Sequence, residues 1–184
     1  FLNRGNVMKK YFLALLVLSL VVFTSGCTSN TDTKDNQTKT LSPNNVSFTY
    51  PGTWAIADSQ ANDTIAAVAD PSSVNAQTGL AQTVVTVQLK NLTGTFDSMY
   101  ADNYESLFSN SSYKRVSEGN LTLNGRNVFE YVYTVDADGT NIKQRAIWIQ
   151  DNKKVYVILC STLTSQFDNE KQNFDMIINS FKIS

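Results

Sequence analysis

The sequence of 184 residues is 42% apolar, 11% aromatic and 17% charged, with a formal net charge of −1, two cysteines and no histidine. These values are typical of a globular domain and exclude a collagen, a coiled coil and a disulfide-stapled miniprotein. The absence of histidine excludes Ser-His-Asp and Cys-His catalysis and the commonest metal ligand, so the composition favours a binding protein over an enzyme and predicts no cofactor.

The N-terminal residues have the pattern of an export signal. After Met8, a pair of lysines precedes the apolar segment 11–23, which ends in small residues. Such a basic start, short apolar stretch and small-residue exit are typical of a secretory signal, and the segment is short for a transmembrane helix. We therefore predict a cleaved signal peptide region at residues 1–26, with residues 1–7 upstream of the true start.

Cys27 follows the small residues Ser25 and Gly26. This arrangement resembles the lipobox of prokaryotic lipoproteins and implies that Cys27 is lipidated and becomes the first residue of the mature chain. Thr24 departs from the pattern, in which this position is usually aliphatic. The resemblance places the protein, exported and lipid-anchored, on the outer face of the cytoplasmic membrane. An ordinary cleaved signal with an incidental Cys27, or a retained N-terminal anchor, are the alternatives.

Residues 27–44 are almost entirely polar, which predicts a flexible tether, because such a segment cannot bury enough apolar surface to offset its ordering entropy. Residues 45–184 are long enough to form one folded domain. After Cys27 the chain has more acidic than basic residues, since three of the 15 basic and none of the 16 acidic residues precede it. A weakly acidic body predicts no nucleic-acid binding, and any membrane attachment must come from the N-terminus.

The folded part reads as strands with two helices. Alternating and apolar runs predict strands at 46–50, 65–69, 83–89, 114–123, 128–136, 141–150 and 153–162. Apolar residues at helical spacing predict one helix over 96–108 and another from about Ser165. The turn sequences between the last three strands predict an antiparallel meander.

Two strands are apolar on both alternating faces, at 146–149 and 155–160. A sheet with one face in water alternates apolar and polar residues instead, so both faces of this sheet must be covered. The two predicted helices are the available covers. The predicted fold class is therefore α+β, an α/β/α sandwich with a central antiparallel sheet.

Three segments resemble the PsbP-like family, which also includes the Ran-binding Mog protein and many prokaryotic lipoproteins. They are the opening Phe48-x-Tyr50-Pro51-x-x-Trp54, the segment Leu123-Asn124-Gly125-Arg126 leading into Phe129-Glu130-Tyr131-Val132-Tyr133, and the closing Ile177-Ile178-Asn179-Ser180-Phe181-Lys182-Ile183. The resemblance covers nearly all of 45–184. It implies an antiparallel sheet sandwiched by helices and a non-catalytic accessory domain that docks on larger partners. It does not imply the photosynthetic role of the plant members, which uses histidines and a basic surface.

Aromatic residues on the predicted strands have two interpretations. Trp54 could be aimed at a ligand, and Tyr131, Tyr133, Trp148 and Tyr156 could line a groove for sugars or peptides. Their place on interior strands favours packing in the core instead. The sequence therefore identifies no ligand-binding residue.

The remaining candidates have structural explanations. Asp136 and Asp138-Gly139 resemble the start of a calcium loop but lack its distal glutamate, which favours a hairpin turn and no metal site. Cys160 lies in an apolar strand, which predicts a buried, inert thiol. Six sequons are possible glycosylation sites and hence surface markers, at Asn36, Asn45, Asn62, Asn91, Asn110 and Asn120.

Two functions from different classes follow. The first is an accessory domain of the cell surface that docks on an unidentified protein or envelope component without catalysis. The second is a receptor or sensor lipoprotein for a small ligand, which requires a pocket with a few convergent polar groups. An enzyme with an unfamiliar site is the weakest alternative, because the acidic residues are scattered singly.

Overall fold

A computed structural model describes residues 37–59 and 61–184. Within these residues the chain forms ten strands and two α-helices. They are β1 (Thr38–Leu41), β2 (Val46–Pro51), β3 (Ala55–Ile56), β4 (Thr64–Ala69), β5 (Val84–Asn91), α1 (Phe96–Phe108), β6 (Tyr113–Leu123), β7 (Arg126–Ala137), β8 (Thr140–Asp151), β9 (Lys154–Leu163), α2 (Phe167–Ser180) and β10 (Lys182–Ile183). The predicted signal peptide region, Cys27 and the Asn36 sequon lie outside the described residues.

Seven strands form one antiparallel sheet in the order β3-β4-β5-β9-β8-β7-β6. The predicted meander is confirmed, because β7, β8 and β9 are consecutive neighbours joined by tight turns. In the first of these turns Asp138 and Gly139 both have positive φ, of 50° and 83°. That is the backbone of a two-residue hairpin turn whose twist matches the strands.

The remaining three strands form a small sheet in the order β1-β2-β10. Strand β1 corrects the predicted tether of 27–44, because Thr38–Leu41 pairs with β2 in antiparallel register. Three of its four residues are exposed, and Leu41 packs against the core. An edge strand of this kind is held by backbone hydrogen bonds, which the polar composition does not reveal.

Helix α2 and the small sheet cover one face of the large sheet, here called the α2 face. The helix contributes Phe167, Phe174, Ile177 and Ile178 to a buried cluster. The small sheet contributes Val46, Phe48 and Tyr50, and the large sheet contributes alternate residues of its central strands. The predicted helix start near Ser165 is a 3-10 turn, Thr164–Gln166, which leads into α2.

Helix α1 covers the opposite face, here called the α1 face. The helix begins after a capping box in which the Thr95 hydroxyl accepts from the backbone N–H of Ser98. Its buried residues pack on an aromatic cluster of the sheet, Tyr131, Tyr133 and Trp148. An antiparallel sheet with two helices is therefore confirmed, whereas the simple α/β/α sandwich is confirmed only in part, because a second sheet shares one face with α2.

Candidate functional site

A cleft of about 240 Å³ opens on the α1 face. It lies between α1, the loop that precedes β4 and the strands β5, β8 and β9. Its floor consists of Ala146, Val157 and Leu159. Packing from α1 involves mainly β7, β8 and β9, and β5 lies beside this packed region. The cleft therefore lies beside α1, where this helix does not cover β5.

Two carboxamide side chains line the cleft. Gln144 on β8 is 3% exposed and Gln88 on β5 is 9% exposed. The Gln144 Nε2 donates to the Ser161 hydroxyl at 3.3 Å. Because a carboxamide that lines a cleft can both donate and accept hydrogen bonds, these two glutamines are candidates to bind a ligand.

Aromatic residues form the rest of the inner wall. Trp148 Nε1 donates to the Tyr104 hydroxyl at 2.9 Å, which fixes both rings at the base of α1. Tyr113 and Tyr133 lie at the end of the cleft near Gln144. Burial raises the pKa of the Tyr133 hydroxyl, and the neighbouring Tyr113 raises it further. Burial also raises the pKa of Tyr113, so both hydroxyl groups are neutral at physiological pH.

The charged groups of the cleft form an ion pair. Lys90 on β5 donates to the Asp63 carboxylate, and both side chains are partly exposed at the mouth. The loop that carries Asp63 is fixed to β5 because the Leu89 N–H donates to the Asp63 carbonyl oxygen at 2.8 Å. The loop at the mouth of the cleft is therefore fixed in position, and the charges of Lys90 and Asp63 at the mouth cancel.

A second recess of about 230 Å³ adjoins the cleft. The two share Lys90, Asn103 and Trp148. The recess continues along α1 to Asp102 and Ser106. The α1 face thus has a groove beside the helix, with Asn103 at its middle.

The aromatic residues singled out in the sequence divide between the two faces. Tyr133 and Trp148 line the cleft, whereas Tyr131 is buried under α1 away from it. Trp54 and Tyr156 lie on the α2 face, where Trp54 packs edge-on against Phe174 with 6.4 Å between ring centroids. The expectation of core packing describes all five, and two of them also face the cleft.

The Asp136 turn, Cys160 and the described sequons have the structures that the sequence predicted. The Asp136 carboxylate accepts from the Gly139 N–H at 2.8 Å within a hairpin turn. Cys160 is fully buried on the α2 face, and burial raises the pKa of its thiol to about 12. The sequons within the described residues are all exposed, namely Asn45, Asn62, Asn91, Asn110 and Asn120.

The three resembling segments meet at the α2 face. The Thr49 N–H donates to the Ser180 hydroxyl at 2.8 Å, which joins the first segment to the last. Asn124, at a φ of 51° in the turn between β6 and β7, donates to the Phe181 carbonyl oxygen at 2.6 Å and joins the second to the last. These contacts therefore fix α2 and the small sheet in place, and among the three segments only Tyr133 of the second lines the cleft.

Sequence reasoning missed Gln88, Gln144 and the pair of Lys90 with Asp63. The available signal was a polar residue at an inward position of a strand that is otherwise apolar. In β5 the neighbours of Gln88 on the same face are Thr86 and Lys90, so the face of this strand is unusually polar. The side chains of β5 and β8 line the same cleft only because of the strand order, which the sequence does not give.

Within the described residues no helix is long and apolar enough to cross a membrane. In the same residues, no group of three or more acidic, cysteine or histidine side chains is placed to hold a metal ion.

The fold is that of a class of small domains built on an antiparallel sheet with one helix on each face. The family described as PsbP-like protein matches residues 23–183. The chain therefore belongs to the PsbP-like family, as the three segments predicted. A search of curated proteins found no similar sequence.

Solved structures share this fold at low sequence identity. Cyanobacterial PsbP (CyanoP) from Synechocystis has a TM-score of 0.61 at 14% identity and covers 85% of this chain and 98% of its own. LpqN from Mycobacterium tuberculosis, involved in cell envelope biogenesis, has a TM-score of 0.57 at 11% identity over 80% and 91% of the two chains. The Ran-binding protein Mog1p of Saccharomyces cerevisiae has a TM-score of 0.55 at 10% identity over 81% and 96%.

Proposed function

We propose that this protein is an exported, lipid-anchored accessory domain that docks, without catalysis, on a protein or envelope component at the outer face of the cytoplasmic membrane. Membership of the PsbP-like family supports a binding or accessory role. Two proteins of the same fold support it further, since one binds Ran and the other is involved in cell envelope biogenesis. The anchor and the location rest on the lipobox-like segment before Cys27.

The observation that carries the docking proposal is strand β6 at the edge of the large sheet. The seven residues 114–120 are all exposed, and Val116 is 50% exposed although it is apolar. An edge strand presents unpaired backbone N–H and C=O groups, which an extended segment of a partner protein can pair with. A register shift between Arg115 and Ser117 and the nearby charges protect against unspecific pairing.

Site-specific photo-crosslinking in intact cells tests this docking. A photoreactive residue replaces Val116, and a matched control replaces Lys171, an exposed residue on α2. We expect one abundant envelope partner to be joined through position 116 and not through position 171, identified by mass spectrometry. Equal and diverse products from both positions would contradict docking through β6.

The anchor requires its own experiment. Cys27→Ser removes the sulfur that would carry the lipid, so we expect the variant to leave the membrane fraction while the parent protein stays in it. Cys160→Ser is the matched control, since its side chain is buried in the domain. If Cys27→Ser stays fully membrane-bound, lipidation is not the anchor.

The cleft on the α1 face favours a second function, a receptor for a small ligand. Its volume of about 240 Å³ is slightly below the range for drug-sized ligands, and the adjoining recess extends it. The two buried glutamines in its lining supply polar groups for such a ligand. The exposed residues 114–120 of β6 are not part of the cleft lining, to which this strand contributes only Tyr113.

A further inference from the structure

We infer that the cleft on the α1 face binds one unit of an uncharged carbohydrate, with its hydroxyl groups bonded to the carboxamides of Gln88 and Gln144. This inference rests on the second function proposed above and names the ligand class. It follows from the charge, the hydrogen-bonding groups and the apolar surface of the cleft.

The charge of the cleft selects a neutral ligand. Its charged side chains are Lys90 and Asp63, which bond to each other at the mouth. The tyrosine hydroxyl groups are neutral, because burial raises the pKa of Tyr104, Tyr113 and Tyr133. An anion or a cation would lose its hydration in the cleft and find no unpaired opposite charge, which is unfavourable.

The carboxamides select a ligand rich in hydroxyl groups. A carboxamide both donates and accepts hydrogen bonds, as a sugar hydroxyl does. Gln88 of β5 and Trp148 of β8 lie in one row across the sheet, on either side of Val157 of β9. Gln144 lies four residues before Trp148 on β8. The two carboxamides therefore approach the ligand from different ends of the cleft. A purely apolar ligand would offer these carboxamides no hydrogen bond in a site from which it excludes water.

The walls of the cleft fit the carbon atoms of a sugar ring. Trp148, Tyr104 and Tyr133 provide aromatic surface, and Leu107 and Leu159 provide aliphatic surface. Aromatic rings have an electronegative face that attracts weakly positive hydrogens, such as the C–H groups of a sugar. The volume of about 240 Å³ suits a ligand smaller than a drug-sized molecule, that is, a single ring.

Fluorescence of Trp148 is the measurement that tests the inference. Trp54 lies on the α2 face, so the variant Trp54→Phe leaves Trp148 as the sole tryptophan reporter. The purified protein is titrated with methyl glycosides of glucose, galactose and mannose and with N-acetylglucosamine. The comparison probes are sodium phosphate, leucine and sodium decanoate. We expect at least one saccharide, and none of the comparison probes, to give a saturable change.

Leucine variants then locate the binding. Gln88→Leu and Gln144→Leu keep the approximate volume and remove the hydrogen bonds, so each is expected to weaken saccharide binding about tenfold or more. Gln172→Leu on the exposed side of α2 is the matched control and is expected to bind like the parent. Because a glutamine in the core can also affect folding, Asn103→Ala at the half-exposed mouth provides a second variant that should weaken binding.

The possible results distinguish a wrong ligand class from a wrong receptor function. If phosphate, leucine or decanoate binds and no saccharide does, the ligand class is wrong although a receptor remains. If no probe binds at all, both the inference and the receptor function fail. If a saccharide binds but Gln88→Leu, Gln144→Leu and Asn103→Ala leave its affinity unchanged, the cleft is not its site.

Discussion

The two faces of the large sheet differ in how their buried polar side chains are paired. On the α2 face these groups bond to one another across elements. The hydroxyl groups of Thr83 and Thr162 lie 2.8 Å apart. Arg145 donates to Glu130 at 2.6 Å and to Asp175 of α2 at 2.5 Å. The α2 face is therefore a completed core that holds its helix by both apolar contact and charge.

On the α1 face two buried hydroxyl groups have no partner among the described residues. The Thr86 and Tyr131 hydroxyl groups are fully buried and unbonded, and the Gln88 carboxamide borders the cleft. Unpaired polar groups reduce stability unless water or a ligand binds them. The comparison teaches that the two faces differ in polar pairing, because the α2 face pairs the groups named above and the α1 face leaves two buried hydroxyl groups without a partner.

Chemical labelling of Cys160 gives the largest expected effect and tests whether the α2 face is closed. Burial raises the pKa of the thiol from 9.0 to about 12, although the nearby Arg145 lowers it. At pH 8 this reduces the reactive thiolate roughly a thousandfold relative to an ordinary cysteine. In a Cys27→Ser background, Cys160 should resist Ellman's reagent until urea unfolds the protein. Rapid labelling without denaturant would show that the α2 face opens.

Truncation of an aromatic residue in each helix compares the two faces directly. Phe174 of α2 is 0% exposed and Phe96 of α1 is half-buried, stacked on Phe129 with 5.0 Å between ring centroids. We expect Phe174→Ala to lower the free energy of unfolding by about 3–5 kcal/mol. Phe96→Ala should cost roughly half as much, because part of its surface is already in water. Urea denaturation followed by circular dichroism measures both, and equal costs would refute the difference between the faces.

Removal of the charge network on the α2 face has an intermediate effect. Arg145→Met keeps the aliphatic part of the side chain but leaves Glu130 and Asp175 without their cation. We expect a loss of about 1–3 kcal/mol, since the Arg145 side chain is only 16% exposed while that of Asp175 is 38% exposed. In a double-mutant cycle with Asp175→Asn the losses should be less than additive. Strict additivity would mean that the two side chains do not stabilise α2 together.

The sequence was sufficient for most of the large sheet and both helices. Their apolar periodicity is strong, and the turn at Asp138-Gly139 has a backbone that few other residue pairs adopt easily. The family was also accessible, because its segments are the contacts that fix α2, such as Asn124 with the Phe181 carbonyl. Each of these segments leaves a recognisable pattern in the sequence, although the contacts between them join residues that are far apart in the chain.

The cleft could not be predicted in the same way. Gln88 and Gln144 are distant in sequence and come together only because β9 inserts between β5 and β8. Strand β1 was missed for a related reason, since its pairing with β2 uses backbone groups that every residue has. Tyr133 and Trp148 were noticed, but a buried aromatic residue and one that lines a cleft have the same pattern in sequence.

Thr83→Val and Thr86→Val have the smallest expected effects and test the comparison most directly. They make the same substitution on opposite faces of the sheet, directly before β5 and within it. Thr83 and Thr86 are 3% and 2% exposed, and valine has nearly the same shape as threonine. Thr83→Val leaves the Thr162 hydroxyl unpaired and should lower the free energy of unfolding by about 1–2 kcal/mol. Thr86→Val removes a hydroxyl that had no partner and should raise it by up to about 1 kcal/mol. Opposite signs in urea denaturation would confirm that the Thr83 hydroxyl on the α2 face is paired and that the Thr86 hydroxyl on the α1 face is not, whereas equal losses would mean that the Thr86 hydroxyl has a partner.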